Sequence, residues 1–113
     1  MIELSLSEIA TAVSGELVMG EPGTTVSGNV STDSRELGAG DIFFAKLGEN
    51  DNGHRFLPDV AAVGVALAIV SEARTDLKLN QILVPDTVVA LSLLAKYVLE
   101  RLRPNGLMVL GVT

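Results

Sequence analysis

The chain has 113 residues, enough for one small domain, with 48% hydrophobic residues, only 4% aromatic ones and a formal net charge of −6. The core must therefore be aliphatic, and the acidic balance argues against nucleic acid or an anionic membrane as partner, since both need a basic face. There is no cysteine, which removes disulfides, thiolate chemistry and Cys-ligated metal and fits a cytosolic protein; no apolar run approaches the roughly 20 residues of a membrane span, and the opening Met1-Ile2-Glu3-Leu4-Ser5 lacks the pattern of a signal peptide.

Met1 to Leu4 suits a short edge strand. Ser5 and Glu8 stand at capping-box spacing, so a helix is expected to start there, to turn Ile9, Ala10 and Val13 to the core and to close at Gly15. Glu16 to Met19 reads as a strand and Gly20-Glu21-Pro22-Gly23 as a turn. Thr24 to Val30, with β-branched residues and partial alternation, reads as one strand leading into a polar loop at Ser31. Gly38-Ala39-Gly40-Asp41 is a second turn, Ile42 to Lys46 a short buried strand and Gly48 to Gly53 a polar loop. A short helix is expected over Phe56 to Val63, with Pro58 in its first turn and Gly64 at its end. Val65 to Val70 is aliphatic on both faces, as in a parallel sheet covered on both sides, and Gln81 to Val84 is a further strand. Asp86 is placed to cap the longest helix, Thr87 to about Arg103, with Leu91, Leu94, Ala95, Val98 and Leu102 as its apolar stripe and Arg101 and Arg103 in its last turn. Pro104-Asn105-Gly106 breaks it before a final apolar strand, Leu107 to Leu110. The alternation of strand and helix makes the class α/β.

Chemistry-bearing side chains concentrate between Ser31 and Phe56. Ser31-Thr32-Asp33-Ser34-Arg35 offers three hydroxyls, a carboxylate and a guanidinium in five residues. Two readings stay open: a turn whose side chains bond their own backbone, or a pocket wall for a sugar, base or phosphate, with Arg35 either a structural ion-pair partner or a phosphate ligand. His54, the only histidine, suits a loop-fixing hydrogen bond more than catalysis, and has no second His for a metal site. Lys46 follows an apolar run and suits either solvent or a pocket mouth. Asp41, Glu49 and Asp51 are too scattered for a metal site, and no stretch has the glycine spacing of a dinucleotide or P-loop motif.

Together these pieces resemble the N-terminal region of the Mur ligases of peptidoglycan synthesis. The pattern is Ser31-Thr32-Asp33-Ser34-Arg35, Gly40-Asp41-x-Phe43-x-Ala45, Gly48-Glu49, Gly53-His54-x-Phe56, then Gly64 before an aliphatic strand. The resemblance covers essentially the whole chain. It implies a small mixed, mostly parallel sheet with helices packed on it over residues 1–85, a domain holding the UDP part of a UDP-N-acetylmuramoyl-peptide. Residues 86–113 would then be the first helix and strand of a central ATP-binding domain, with Leu110-Gly111-Val112-Thr113 similar to the start of the family's phosphate loop. Carried over position by position, the implied UDP contacts are Ser31, Thr32, Ser34 and Arg35 from the first loop and Gly53 and His54 from the second. Lys46 neighbours a position where the family often has lysine, and Asn52 stands where it usually has aspartate. The opening ten residues and Asp86-Thr87-x-x-Ala90-Leu91 are more similar to the members that add D-alanyl-D-alanine to UDP-N-acetylmuramoyl-tripeptide than to those that add the third stem residue. The family reaction uses ATP and Mg²⁺ to activate a stem-peptide carboxylate as an acyl phosphate. Its phosphate-loop lysine and Mg²⁺ ligands would lie beyond Thr113, so neither catalytic residue nor cofactor is expected within this chain. The rival readings are a free-standing small-ligand module and a protein-interaction domain.

Overall fold

A computed structural model of the protein describes residues 3–46 and 53–101. The expectations resting on Met1 and Ile2, on the loop before Gly53, including Asn52, and on the strand Leu107 to Leu110 lie outside the described residues.

Among the described residues, seven short strands and three α-helices follow one another as β1 (Leu4–Ser5), α1 (Leu6–Ala12), β2 (Glu16–Met19), β3 (Thr25–Val26), β4 (Val30–Ser31), β5 (Ile42–Phe44), α2 (Leu57–Val63), β6 (Leu67–Val70), β7 (Gln81–Leu83) and α3 (Thr87–Arg101). Single 3₁₀ turns cover Ser34–Glu36 and Gly53–Phe56. The main sheet has the order β2-β7-β6-β5-β4; β4 to β7 are parallel and β2 runs antiparallel to β7. β1 and β3 form a separate antiparallel pair. This is the mixed, mostly parallel α/β sheet the sequence points to.

Alternation along the strands divides the core into two layers. Ile42, Phe44, Leu67, Ile69 and Ile82 pack beneath α1 and α3, whereas Phe43, Ala45, Ala68 and Val70 pack beneath α2. β6 is buried at every residue, the condition of a parallel strand covered on both faces.

Local chemistry sets the helix ends. Glu8 N–H donates to Ser5 Oγ at 3.1 Å and Ser5 N–H donates to Glu8 Oε1 at 3.2 Å, a complete capping box. At the other end the structure departs from the expected glycine cap. Val13 is the C-cap and Ser14 takes the left-handed conformation, φ 56°. Its N–H bonds Thr11 O at 3.2 Å, and Gly15 N–H bonds Ala10 O at 2.8 Å. Glycine is required at 15 for space: a Cβ there would stand 2.7 Å from side-chain carbons of both Ile82 and Val84. α2 carries its proline in the first turn and ends on Gly64 at φ 94°, as the sequence indicates.

Two expectations need correction. The single strand over Thr24 to Val30 is two, β3 and β4, in different sheets. The chain passes between them at Gly28, where any Cβ would overlap the carbonyl of Gly40; this close approach interrupts the strand. The buried face of α3 is also rotated from the expected stripe. Thr87, Ala90 and Leu94 press on the sheet, Leu91, Tyr97 and Val98 are half-buried beside them, and Ala95 is exposed. α3 is apolar on more than one side, so spacing alone does not choose its inner face. Long-range contacts choose it: Tyr97 OH donates to Glu8 Oε2 at 2.8 Å, and Arg101 pairs with the same oxygen. Asp86 is the expected cap, its Oδ1 accepting Val88 N–H at 2.8 Å and Val89 N–H at 3.2 Å.

Glu8 thus serves α1 with one oxygen and α3 with the other. The Ser5 amide, and then Tyr97, hold its carboxyl below the ordinary carboxylate value, so its contribution is complete above that value and is lost as acid protonates the folded protein. Ser5→Ala is expected to lower stability by about 1 kcal/mol. Glu8→Gln keeps a cap-competent side chain but loses the charge, and Glu8→Ala loses both. Melting temperatures at pH 7 should fall in that order, and the gap between wild type and Glu8→Gln should close as pH falls below about 4. A gap independent of pH would contradict the paired role.

Candidate functional site

The four parallel strands end along one edge of the sheet, where open α/β sheets gather ligands. The loop after β4 is tied to itself. Ser31 Oγ accepts Asp33 N–H at 2.9 Å and donates to Glu36 Oε1 at 3.0 Å. Asp33 Oδ1 accepts Arg35 N–H at 2.9 Å, capping the short 3₁₀ turn. The Arg35 guanidinium grips the same carboxylate through Nε at 3.0 Å and Nη2 at 2.9 Å. That side-chain contact is the main reason the Asp33 carboxyl titrates below its usual range. The Arg35 side chain is 87% exposed, so the pair orients the guanidinium without removing it from solvent. Asp41 braces the loop from behind, accepting Gly38 N–H at 2.9 Å and Asn29 N–H at 3.0 Å; these two amides, Gly38 first, lower its pKa.

The second loop returns to the sheet at Gly53, whose N–H bonds Lys46 O at 2.8 Å. A Cβ at this position would lie 2.8 Å from Lys46 N, so only glycine fits against the end of β5. His54 follows and is buried. Its Nε2 accepts Ser71 N–H at 3.0 Å and Glu72 N–H at 3.2 Å, with the Ser71 hydroxyl at 3.3 Å. Nε2 therefore carries no proton, and the ring latches the second loop to the end of β6. Burial lowers the imidazole pKa, with Glu72 opposing.

The first loop and the 3₁₀ turn Gly53–Phe56 border a cleft of about 360 Å³ lined by Thr32, Asp33, Ser34, Arg35, Arg55 and Phe56. The Arg55 guanidinium carbon lies 4.7 Å from the Phe56 ring centroid, a cation–π contact. Thr32 also lines a second, smaller hollow of about 130 Å³ with Lys46, Thr87, Val88 and Leu91. Of the residues the sequence singles out, the structure brings Thr32, Ser34 and Arg35 to one cleft and Lys46 to the adjoining hollow. Ser31, Gly53 and His54 support the loops instead, and Asn52 lies outside the described residues. Sequence reasoning passed over Arg55, which directly follows His54, and Gln81. That side chain is fully buried and shapes the loop after β6, accepting Arg74 N–H and donating to Arg74 O, both at 2.7 Å. Among the described residues, no group of three His, Asp or Glu side chains could hold a metal ion, and no helix is long and apolar enough to cross a membrane.

The model of the Mur ligase family, catalytic domain, matches residues 28–98, a span that includes both loops and most of α3. The chain belongs to the Mur ligase family. It is 36% identical over its whole length to the Bacillus subtilis UDP-N-acetylmuramoyl-tripeptide–D-alanyl-D-alanine ligase, of which it covers 24%. A Staphylococcus aureus UDP-N-acetylmuramoyl-L-alanyl-D-glutamate–L-lysine ligase is 34% identical over 75% of the chain and is covered to 17%. The structure superposes on that of the Acinetobacter baumannii UDP-N-acetylmuramoylalanyl-D-glutamyl-2,6-diaminopimelate–D-alanyl-D-alanyl ligase with a TM-score of 0.79 and 31% identity, covering 89% of this chain and 22% of that one. The chain thus spans about a quarter of the length of the curated relatives it matches.

In this Mur ligase chain the His54 latch has a pH signature. A depressed imidazole pKa means that the unfolded state binds the proton more readily. The latch is therefore complete above the ordinary imidazole value of about 6.5 and weakens as pH falls below it. Melting temperature should drop between pH 7 and pH 5. In His54→Ala it should be lower at pH 7.5 and flatter over that interval. A wild-type slope retained in the variant would assign the titration to other groups.

Proposed function

We propose that this chain is the substrate-binding region of an ATP-dependent cytoplasmic ligase that adds D-alanyl-D-alanine to UDP-N-acetylmuramoyl-tripeptide, and that the cleft between its two loops holds the UDP part. The observation that carries the site is the meeting of Thr32, Ser34 and Arg35 with Arg55 and Phe56 in one cleft, in a protein of net charge −6. A diphosphate entering an acidic protein needs local cations, and a nucleoside needs hydroxyl partners and an apolar face. Ser31, Gly53 and His54 serve this reading by holding the loops.

The ligase that adds D-alanyl-D-alanine is preferred to one that adds the third stem residue, because the Bacillus relative matches the whole chain and the lysine-adding relative three quarters of it. In this reading ATP and Mg²⁺ belong to the full-length protein, and no step is routed through them here. The proposed division at Pro85 is compatible with α3 facing two ways. Its inner face packs on this sheet, while Leu91, Ala95, Val98 and Leu99 line an open apolar groove beside Val30.

Calorimetry tests the reading. UDP should bind more tightly than ATP, weakly because most substrate contacts would lie in other domains. Arg35→Ala should weaken UDP on the order of tenfold, as expected for loss of a charge-assisted bond. Its melting temperature should barely change, because the ion pair it removes is exposed. A UDP affinity no better than that for ATP would contradict the proposal.

A further inference from the structure

We infer that His54 is a positioning residue for the nucleotide cleft: its neutral ring holds the wall formed by Arg55 and Phe56, and a proton on that ring releases the wall and weakens the ligand. This rests on the UDP reading of the cleft and adds its regulation by pH.

Three observations carry it. First, the acceptor atom is doubly committed. Nε2 accepts Ser71 N–H at 3.0 Å and Glu72 N–H at 3.2 Å. The Ser71 hydroxyl, at 3.3 Å, can turn and accept instead, but a backbone amide has no second role. A proton on Nε2 points at both amides and breaks both bonds at once. Second, the ring is poorly placed to carry charge. His54 is 8% exposed, and burial disfavours the imidazolium. Among the described residues Glu72, just past the end of β6, is the charged group that faces the ring; its carboxylate favours the charged form, and burial outweighs it. Third, latch and wall are one short element. Gly53–Phe56 is a single 3₁₀ turn, and its last two residues are the ones that line the cleft. Gly53 N–H ties the turn to Lys46 O at the end of β5, and Leu57, fully buried, fixes the start of α2. Only the His54 ring holds the stretch between these anchors to the end of β6, so loss of that hold is felt at Arg55 and Phe56.

Coupling of this kind is reciprocal. If the neutral ring favours the ligand, the ligand favours the neutral ring. UDP affinity is therefore complete above the ordinary imidazole value of about 6.5 and falls below it, and bound UDP makes His54 harder to protonate.

The test uses the 113-residue chain and measures UDP dissociation constants by calorimetry from pH 7.5 to pH 5.0. A terminal phosphate itself titrates near pH 6, so the informative quantity is the difference between wild type and variants. At pH 7.5 His54→Ala should bind UDP about tenfold more weakly than wild type. His54→Gln, whose side-chain oxygen accepts amides without titrating, should recover most of that loss. At pH 5.0 wild type should have lost about tenfold relative to His54→Gln. His54 is the only histidine, so its ring NMR signals report it directly, and they should titrate at lower pH with UDP than without. Parallel pH profiles in wild type and His54→Gln overturn the inference, as does a ring titration that UDP leaves unmoved. If glutamine fails to recover binding, or either protein unfolds at pH 5.0, the ring titration decides alone. Failure of the wild-type chain to bind UDP at pH 7.5 would instead overturn the proposed function, and the inference with it.

Discussion

Burial of β6 on both faces is the constraint on which the rest of the structure depends. Leu67, Ala68, Ile69 and Val70 are all inaccessible, so each face of the sheet must be covered by a separate layer. α2 covers one face, and α1 with α3 covers the other. Parallel strands then have to be joined by returns across the sheet, which leaves every strand from β4 to β7 ending at the same edge. The Ser31–Arg35 loop and the Gly53–Phe56 turn lie at that edge, whereas the turns leading into β5 and β6 meet at the opposite one, where Gly40 N–H bonds Gly64 O and Ala66 N–H bonds Asp41 O.

At that edge the side chains divide between holding and offering. Ser31 and His54 spend their hydrogen-bonding capacity on nearby backbone amides, and Asp41, just before β5 at the opposite edge, does the same for Gly38 and Asn29. Asp33 spends its own on Arg35, fixing the guanidinium while leaving it at the surface. Thr32, Ser34, Lys46 and Thr87 line the two cavities that result, with Arg55 stacked on Phe56 beside them. The net charge of −6 makes this division matter. An anion is repelled by the protein as a whole and can be held only where a few fixed cations outweigh that field.

What was legible in the sequence was mostly local. The Ser5–Glu8 box, the Asp86 cap, Pro58 at the start of α2 and Gly64 at its end act within one turn of helix, and each is found where its spacing places it. The apolar run of β6 was legible because it has no polar face to misread. The misreadings are tertiary. Nothing within Thr24 to Val30 reports that Gly28 must pass against Gly40, and nothing within α3 reports that Tyr97 and Arg101 reach Glu8, 89 and 93 residues away. In the site, the loop carrying Thr32, Ser34 and Arg35 was visible from the density of its polar groups. The inward turn of His54 depends on β6 and was visible only as a general tendency of lone histidines. Arg55 and Thr87 gave no local signal at all, because what sets them apart is the cavity each one lines.

The central claim is that the crevice over the ends of β4 and β5 is the nucleotide site, and amide chemical-shift mapping with millimolar UDP tests it most directly. The expected result is a contiguous set of shifts at Thr32, Ser34, Arg35, Arg55 and Phe56, fading toward α1 and β2. No shift at those residues, or shifts confined to the separate cleft of Ser14, Gly15, Glu16 and Leu83, would contradict it.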